Sequence, residues 1–281
     1  MLRKLYEKRP KLLALVYVII FGFSLATIGN HYITTGDYLP LDIELVGGKE
    51  ISIFLTENLD IEVVRQVIPE DTEAKIVSGI NPSLIIEAPE TANENAIIES
   101  LRQIGIEGEI SVRSFGPVLG ELFWRQAQIA IIVAFLSMAI LIFIIFRSPV
   151  PSAAIVMAGL CNMLFVLAML IVLKIDVSLA IIAGILMIIG YSVDTDIVLT
   201  TTVTKETSHT VIDRAMDAMK TGLTITITAL IAVVAMYLAS GAGVIQDIAS
   251  VLIIGLLIDI PMTWLANAGL LIWWMKKKEG V

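Results

Sequence analysis

The sequence is poor in the residues that most catalytic and metal sites require. It contains one cysteine, Cys161, and two histidines, His31 and His209. A lone cysteine forms no intramolecular disulfide, and zinc sets or Ser/His and Cys/His catalytic pairs have too few residues to draw on. The chain also lacks the G-x-x-x-x-G-K-S/T segment that binds nucleotide phosphates. We therefore expect no metal, no cofactor and no enzymatic activity.

Charge is sparse as well, and long apolar runs take its place. Charged residues make up 16% of the chain, hydrophobic residues 57%, and the mean hydropathy is +0.88. Soluble domains are about 45–50% apolar, and a helix needs about 20 apolar residues to cross a bilayer. Six runs are long enough to span: Leu12–Gly29, Ala127–Phe146, Pro151–Leu173, Val177–Val203, Thr221–Ala239 and Ile248–Trp274. The sequence predicts a multi-pass α-helical membrane protein.

The distribution of lysine and arginine predicts the orientation. The first run follows a basic segment, as a secretory signal does, but its apolar core is long and lacks a small-x-small cleavage site, so we predict a retained helix. Twelve lysines and arginines fall in short segments on the side of the N-terminus, and only Lys174 lies in a short loop on the other side. We expect both termini to be cytoplasmic, in a prokaryotic plasma membrane.

One segment of different character separates the first two helices. Residues 36–121 contain 17 acidic and five basic residues and are long enough for a small domain. We divide the chain into 1–35 (N-terminus and first helix), 36–121 (extracytoplasmic α+β domain) and 122–281 (helices two to six and C-terminus). The acidity of this domain is typical of a solvated surface, and a docking surface for partner chains is the alternative.

Alternating strand and helix patterns predict the fold of this domain. Strand patterns occur in LDIELVGG, KEISIFL, EAKIVSG, SLIIEAP and EGEISVRSF, with Gly47-Gly48 as a hairpin turn between the first two. Two helices have start and stop signals: Asn58 or Asp60 to Pro69, and Thr91 or Asn93 to Gly105. The order ββαββαβ predicts an α+β sandwich of the ferredoxin-like kind, with helices on one face of an antiparallel sheet.

Two aspartates interrupt the apolar sequence of the fourth run, GILMIIGYSVDTDIVL. A charged group at mid-bilayer opposes insertion by roughly 2.5–3.5 kcal/mol. This cost for Asp194 and Asp196 must be offset by hydrogen-bonding partners, or the two carboxyls must have a function. They lie about 200° apart on a helix and cannot form one paired site. A deep carboxyl that is neutral at rest and ionises on contact with water can carry a proton. Asp194 is nearer the middle of the run, so we predict it as the main carrier, ahead of Asp196.

The fifth and sixth runs supply candidate partners. KTGLTITITAL places Thr221, Thr224 and Thr228 on one helix face, with Thr226 off it. Hydroxyls both donate to a carboxylate and accept from a carboxylic acid, so this stripe could complete a relay, or simply pack as small residues. Asp259, followed by the helix-loosening Pro261, is a third deep carboxyl and a further relay candidate.

Three alternatives stay open from the residues alone. The membrane carboxyls could be interhelical hydrogen-bonding groups with no transport role. An intramembrane aspartyl protease could pair Asp194 with Asp259, although its Y-D and G-x-G-D signatures are missing from the sequence. A small-molecule exporter would commonly have two external loops and twice as many helices.

Three motifs resemble the SecD/SecF protein-export family of the resistance-nodulation-division superfamily. GYSVDTDIVL is similar to the family's fourth-helix aspartate motif, KTGLTITITAL to its threonine-rich fifth helix, and DIELVGG to the D-x-x-G-G motif that opens its first external domain, with Glu44 in place of an Asp. The layout of six helices with one large loop fits the archaeal-like members. The resemblance implies a SecD-like partner, a SecY-type translocon, exported unfolded polypeptides as cargo, and a proton or ion flow as the driving force.

Overall fold

The computed structural model describes residues 2–8, 10–55, 59–69, 71–77, 82–106, 108–205, 209–240 and 243–279. Within this part of the chain, six helical stretches are long and apolar enough to cross a membrane: Pro10–Thr35, Pro117–Phe146, Pro149–Leu173, Leu179–Lys205, Val211–Ala239 and Val244–Glu279. The prediction of a multi-pass helical membrane protein is confirmed. Five of the six helical stretches are longer than the matching apolar runs, and Leu179–Lys205 has the same length as Val177–Val203, 27 residues.

The helices are numbered in chain order. Before the α+β domain, which we call the external domain after its predicted side of the membrane, lie α1 (Leu2–Lys8), α2 (Pro10–Leu13) and α3 (Leu15–Thr35). After it come α7 (Pro117–Phe146), α8 (Pro149–Leu173), α9 (Leu179–Lys205), α10 (Val211–Ala239) and α11 (Val244–Pro261), which runs through a π-helical segment, Met262–Asn267, into α12 (Ala268–Glu279). The 121/122 division predicted from the sequence falls inside α7, about one turn after its start.

Two hydrophobic cores hold the bundle together at its two ends. One joins the first half of α9, around Ile181 and Ile185, to the first half of α11, around Val251 and Leu252. The other joins the last turns of α9 to α1, α10 and α12. Close helix approach at the first core depends on small residues, since a Cβ added at Gly255 would lie 2.0 Å from Ile188 Cδ1. The middle of the bundle, between these two cores, holds buried polar residues beside two smaller apolar clusters, one with Ile189 and Val193 and one with Ile20, Cys161 and Met262.

The external domain contains α4 (Ile43–Val46), β1 (Gly48–Phe54), α5 (Ile61–Val67), β2 (Glu73–Val77), β3 (Ser83–Ala88), α6 (Glu94–Gln103) and β4 (Ile110–Phe115). Its antiparallel sheet has the order β2-β3-β1-β4, with Ile51 opposite Ile86 on one side and Val112 on the other. Helices α5 and α6 pack on the sheet through a core that includes Val64, Ile97 and Leu101.

Most of the predicted elements of this domain are confirmed. Asp60 caps α5, accepting a hydrogen bond from Glu62 N, and the helix ends before Pro69. Asn93 caps α6, and Gly105 follows its end with φ +80°. The alternative cap for α5, Asn58, lies outside the described residues.

The strand predicted over LDIELVGG is wrong, and so is its hairpin turn. Ile43–Val46 form one helical turn, because the Asp42 carboxylate accepts a hydrogen bond from Glu44 N at 2.9 Å and Ile43 and Leu45 are buried together. Gly47 and Gly48 then carry the chain into β1 with φ of +90° and +156°. Apolar residues two apart predict a strand, since such residues lie on opposite sides of a helix. This turn buries both sides, because Leu45 packs in the bundle core and Ile43 lies beside Gly48.

The external domain is attached to the fourth spanning helix as well as to its own neighbours in sequence. Asp42 N donates to Val177 O at 3.1 Å, and Val177 N donates to Pro40 O at 2.7 Å. Glu44 Oε2 accepts from Leu179 N at 3.0 Å, so an external residue caps the start of α9. Lys75 of β2 forms an ion pair with Asp176 in the loop before α9. The domain is therefore anchored on the helix that carries the two aspartates.

Candidate functional site: a carboxyl pair in the membrane bundle

The polar centre of the bundle lies where α9 passes the π-helical segment. Ser192, Thr195 and Asp196 of α9 are buried between the two hydrophobic cores. Asp259 and Thr263 face them from the sixth span and are 1% and 0% exposed. Pro261 lacks a backbone N–H, and the widened helix after it turns Thr263 and Asn267 toward α9. Burial of two carboxyls at this depth is costly, so their partners decide the chemistry of the site.

Asp259 is held by donors from two other helices. Ser192 Oγ and Asn162 Nδ2 both donate to Asp259 Oδ1, the latter from α8 at 3.3 Å. Thr195 Oγ1 donates to Asp259 Oδ2 at 2.9 Å. Both oxygens of this carboxyl therefore have hydrogen-bond donors, and all of the donors are neutral.

Asp196 is held entirely by the π-helical segment. Its Oδ1 accepts from Thr263 Oγ1 at 3.0 Å and from Asn267 Nδ2 at 2.7 Å. Its Oδ2 is buried and has no hydrogen-bond partner among the described residues. Neither Asp196 nor Asp259 forms an ion pair with any part of the chain that the structure describes.

A pair of hydroxyls joins the two carboxyls. Thr195 Oγ1, bonded to Asp259, lies 3.4 Å from Thr263 Oγ1, which is bonded to Asp196. Either hydroxyl can be the donor in this contact. A continuous row of groups that can exchange hydrogen bonds thus crosses the middle of the bundle, in the order Asp196, Thr263, Thr195, Asp259.

The structure places the other predicted relay residues on the outside of the bundle. Asp194 is exposed on α9, in a stripe with Met187, Gly190 and Tyr191, and does not meet Asp259. Thr221, Thr224 and Thr228 are exposed on α10, whereas Thr226, predicted to lie off this stripe, is the buried one and bonds to Gly222 O at 3.1 Å. The separation of Asp194 and Asp196 onto opposite sides is confirmed. The roles of Asp194 and the three exposed threonines stay predictions.

Sequence reasoning missed all five side-chain donors to the two carboxyls. Asn162, Ser192, Thr195, Thr263 and Asn267 were not among the predicted relay residues. Polar residues inside spanning helices usually face the interior, so each of them could have been flagged by its position in an apolar run. What the sequence cannot supply is their convergence, because it depends on how three helices are rotated about their axes.

A second cluster of charged residues lies where the external domain meets the bundle, around a cavity of about 460 Å³. Lys75 Nζ contacts Glu87 at 2.9 Å and also pairs with Asp176, while Arg113 pairs with Glu50. Burial raises the pKa of Glu87 to about 7, and the nearby Lys75 ammonium opposes this shift. Burial likewise raises the pKa of Asp42 to about 6, against the lowering effect of the hydrogen bond from Glu44 N.

The raised pKa of Glu87 predicts that this region loses stability as pH rises. Between the usual value of 4.5 and about 7, the folded protein holds a proton at Glu87 that the unfolded chain has already released, so folding stability falls over that window. The loss is at most about 3 kcal/mol. We expect the unfolding temperature to fall between about pH 5 and about pH 8 in wild type and to fall less in Glu87→Gln. Exposed Glu90→Gln is the matched control, and equal slopes in all three proteins would contradict the assignment.

The fold and the buried site together define the class of protein. This is a polytopic α-helical membrane protein with one α+β domain between its first two spans and a hydrogen-bonded carboxyl pair in the middle of its bundle. A family model described as "Protein export membrane protein SecD/SecF, C-terminal" matches residues 97–277. The chain belongs to the SecD/SecF protein-export family.

Individual relatives agree with this assignment over all or part of the chain. The protein-export membrane protein SecF of Pyrococcus furiosus is 36% identical over 99% of this chain and 96% of its own. SecF of Methanothermobacter thermautotrophicus is 45% identical over 60% of this chain and 61% of its own.

A solved structure shows the same fold. SecDF from Thermus thermophilus, described as a translocon-associated membrane protein, superposes with a TM-score of 0.76 at 18% identity. The match covers 95% of this chain and 38% of that one, so this chain corresponds to less than half of the SecDF chain.

Proposed function

We propose that this chain is a SecF-like subunit that assists export of unfolded polypeptides through a SecY-type translocon, using the proton or ion motive force. The observation that carries the mechanism is the hydrogen-bonded row from Asp196 to Asp259. Two carboxyls buried this close without a cation are too costly to ionise together, so the row would hold one proton and pass it between its ends.

The row has two hydrogen-bonding states of opposite direction. With the proton on Asp196, that carboxyl donates to Thr263, Thr263 to Thr195, and Thr195 to Asp259. With the proton on Asp259, every donor in the row is reversed. The 3.4 Å contact between the two hydroxyls supports this exchange because either of them can donate. A unit charge crossing the full potential releases about 2.3 kcal/mol per 100 mV, which is enough to shift the balance between two packings of the π-helical segment.

The external domain is the part that we propose to move. Its strand order and the two helices α5 and α6 support its assignment as a ferredoxin-like α+β unit spanning about 36–121. Residues 1–35 and 122–281 then form the membrane part. Glu44 caps α9, and Lys75 pairs with the loop that precedes this helix. A shift of α9 caused by protonation at Asp196 would therefore reach the domain directly.

The exposure of Asp194 supports the proposal that this chain contacts a partner chain. An aspartate near mid-membrane that faces lipid is costly, and the cost is removed if another protein covers it. The small residue beside it, Gly190, would have no heavy atom within 4 Å of an added Cβ, so a second helix could approach closely. We assign this face of α9, together with the exposed threonines of α10, to contact with a SecD-like six-helix subunit.

The partner assignment predicts the composition of the purified complex. Mild detergent extraction from native membranes should yield this chain with a second six-helix chain that has a similar fourth-helix motif. Asp194→Leu keeps the exposed face apolar but removes the carboxyl, and we expect it to lower recovery of the partner, whereas Asp37→Leu, at an exposed position just after α3, should not. Recovery of homo-oligomers alone, with the second chain present in the cells, would contradict the proposal.

The orientation predicted from lysine and arginine gives a labelling experiment. With Cys161 replaced by alanine, a cysteine at position 73 should react with a membrane-impermeant thiol reagent added outside the cell, and one at position 206 should not. Position 73 lies in the external domain, at the start of β2, and Glu206 lies outside the described residues. Labelling of position 206 from outside the cell, with position 73 labelled only after lysis, would reverse the topology.

A further inference from the structure

A groove runs along the outer surface of the bundle between α3 and α8. It encloses about 710 Å³, and its walls include Tyr17, Val18, Phe21, Pro149, Ala153 and Leu270. The Tyr17 hydroxyl is used internally, donating to Ala154 O at 3.3 Å. The remaining wall residues named here are apolar, so the groove suits a hydrocarbon chain rather than a polar ligand.

A second, smaller depression lies near this groove, toward the N-terminal end of α3. It encloses about 430 Å³ and is lined by Lys8, Pro10, Lys11, Leu12 and Trp273. Trp273 lies one helical turn beyond Leu270 on α12, and Val18 lies two turns from Lys11, so the two depressions are neighbours along two edges, one formed by α2 and α3 and the other by α12. The close contact of the two edges is set at Gly269, where an added Cβ would be 2.7 Å from Leu13 Cβ.

The end of the groove is basic. Lys8 and Lys11 are exposed, and neither forms an ion pair within the described ranges. The Lys11 ammonium lies 5.0 Å from the centre of the Trp273 ring, an arrangement typical of the membrane interface. Arg147 is also exposed and comes two residues before Pro149 in the groove wall. Basic groups at the interface beside an apolar groove match the two parts of an anionic lipid.

We propose that this groove binds one anionic membrane lipid from the leaflet on the side of the N-terminus. Its phosphate headgroup lies at Lys8 and Lys11, and one of its hydrocarbon chains follows α3 to Phe21. The ten residues from Lys11 to Phe21 rise about 15 Å, which is half of the ~30 Å hydrocarbon thickness and so the depth of one leaflet.

The bound chain would lie close to the carboxyl pair. Cys161 lines the groove and packs with Ile20 and Met262, the first residue of the π-helical segment. The next residue, Asn162, bonds to Asp259. The lipid therefore supports the packing of α3 and α8 against the segment that holds Asp196, although the site itself does not depend on the proposed export function.

Lipid titration of the purified chain, followed by native mass spectrometry, tests the proposal. The probes are a phosphatidylglycerol and a phosphatidylcholine with identical acyl chains. We expect one phosphatidylglycerol to be retained more tightly than phosphatidylcholine. Lys8→Gln with Lys11→Gln should weaken phosphatidylglycerol binding by about fivefold for each lysine and leave phosphatidylcholine unchanged. Ala153→Trp, which fills the groove, should weaken both lipids.

Matched controls separate this site from general surface attraction. Lys4→Gln with Lys277→Gln removes the same charge at exposed positions that do not line the groove, and Ala130→Trp adds the same bulk on exposed α7. Equal affinity for the two lipids, or equal losses in the control variants, would overturn the proposal. A photoreactive residue at Val18 should form adducts with lipid in membranes. An adduct with another polypeptide instead would show that the groove is a protein interface and would likewise overturn it.

Discussion

Replacing either Asp196 or Asp259 by asparagine should abolish the part of export that depends on the membrane potential. Asparagine keeps the size and one acceptor oxygen of the side chain but cannot take up or release a proton. Because Asp196 Oδ1 accepts from Thr263 and Asn267, an asparagine oxygen can preserve both contacts, and folding stability should change by no more than about 1 kcal/mol. Export in vesicles should fall to the level measured without a potential.

Two further variants separate the buried row from the exposed aspartate. Thr263→Val keeps the shape of the side chain but removes the hydroxyl between Asp196 and Thr195, so it should also impair coupling while both carboxyls remain. Asp194→Asn should leave ion coupling largely intact, and any effect it has should be on recovery of the partner chain. Loss of coupling in Asp194→Asn, with normal export in Asp196→Asn, would return the carrier role to Asp194 and leave the buried pair as a structural feature. Complex recovery should be measured for each variant.

The sequence was sufficient for the parts of the fold that depend on local pattern. Six apolar runs predicted six spans. Asp60 and Asn93 were each one of two predicted caps, because a short polar side chain precedes an apolar helical repeat. The failure at Ile43–Val46 has a tertiary cause. That turn is stabilised by packing of Leu45 in the bundle core and by close contact between Gly120 of α7 and the Leu45 backbone, neither of which a local pattern contains.

For the site, the sequence supplied the depth of each aspartate but not the direction in which it points. Depth favoured Asp194, which is nearer the middle of its run, and a helical wheel correctly placed Asp196 on the other side. Only packing shows which side is buried. The rotation of α9 that turns Asp196 inward is fixed by contacts such as Gly255 against Ile188 and by the π-helical segment, whose extra residue per turn changes which side chains face α9.

The attachment of the external domain predicts a second large effect, at Gly47. This residue has φ +90° and ψ 144°, a conformation accessible to glycine and strained for other residues by about 1–3 kcal/mol. An added Cβ would also lie 2.6 Å from Pro117 Cα, a backbone atom at the start of α7 that cannot move alone. We expect Gly47→Ala to destabilise the protein by about 3 kcal/mol or more, measured by thermal unfolding in detergent.

Gly116→Ala is the matched control for this prediction. Gly116 immediately precedes α7, has φ −72°, and has no heavy atom within 4 Å of an added Cβ, so its substitution should change stability by no more than about 0.5 kcal/mol. Because Gly47 directly follows the turn in which Glu44 caps α9, Gly47→Ala should also uncouple export from the potential while Asp196 and Asp259 are unchanged. Equal stability of the two variants would show that α7 shifts freely, and the external domain would then not be held rigidly enough to follow α9.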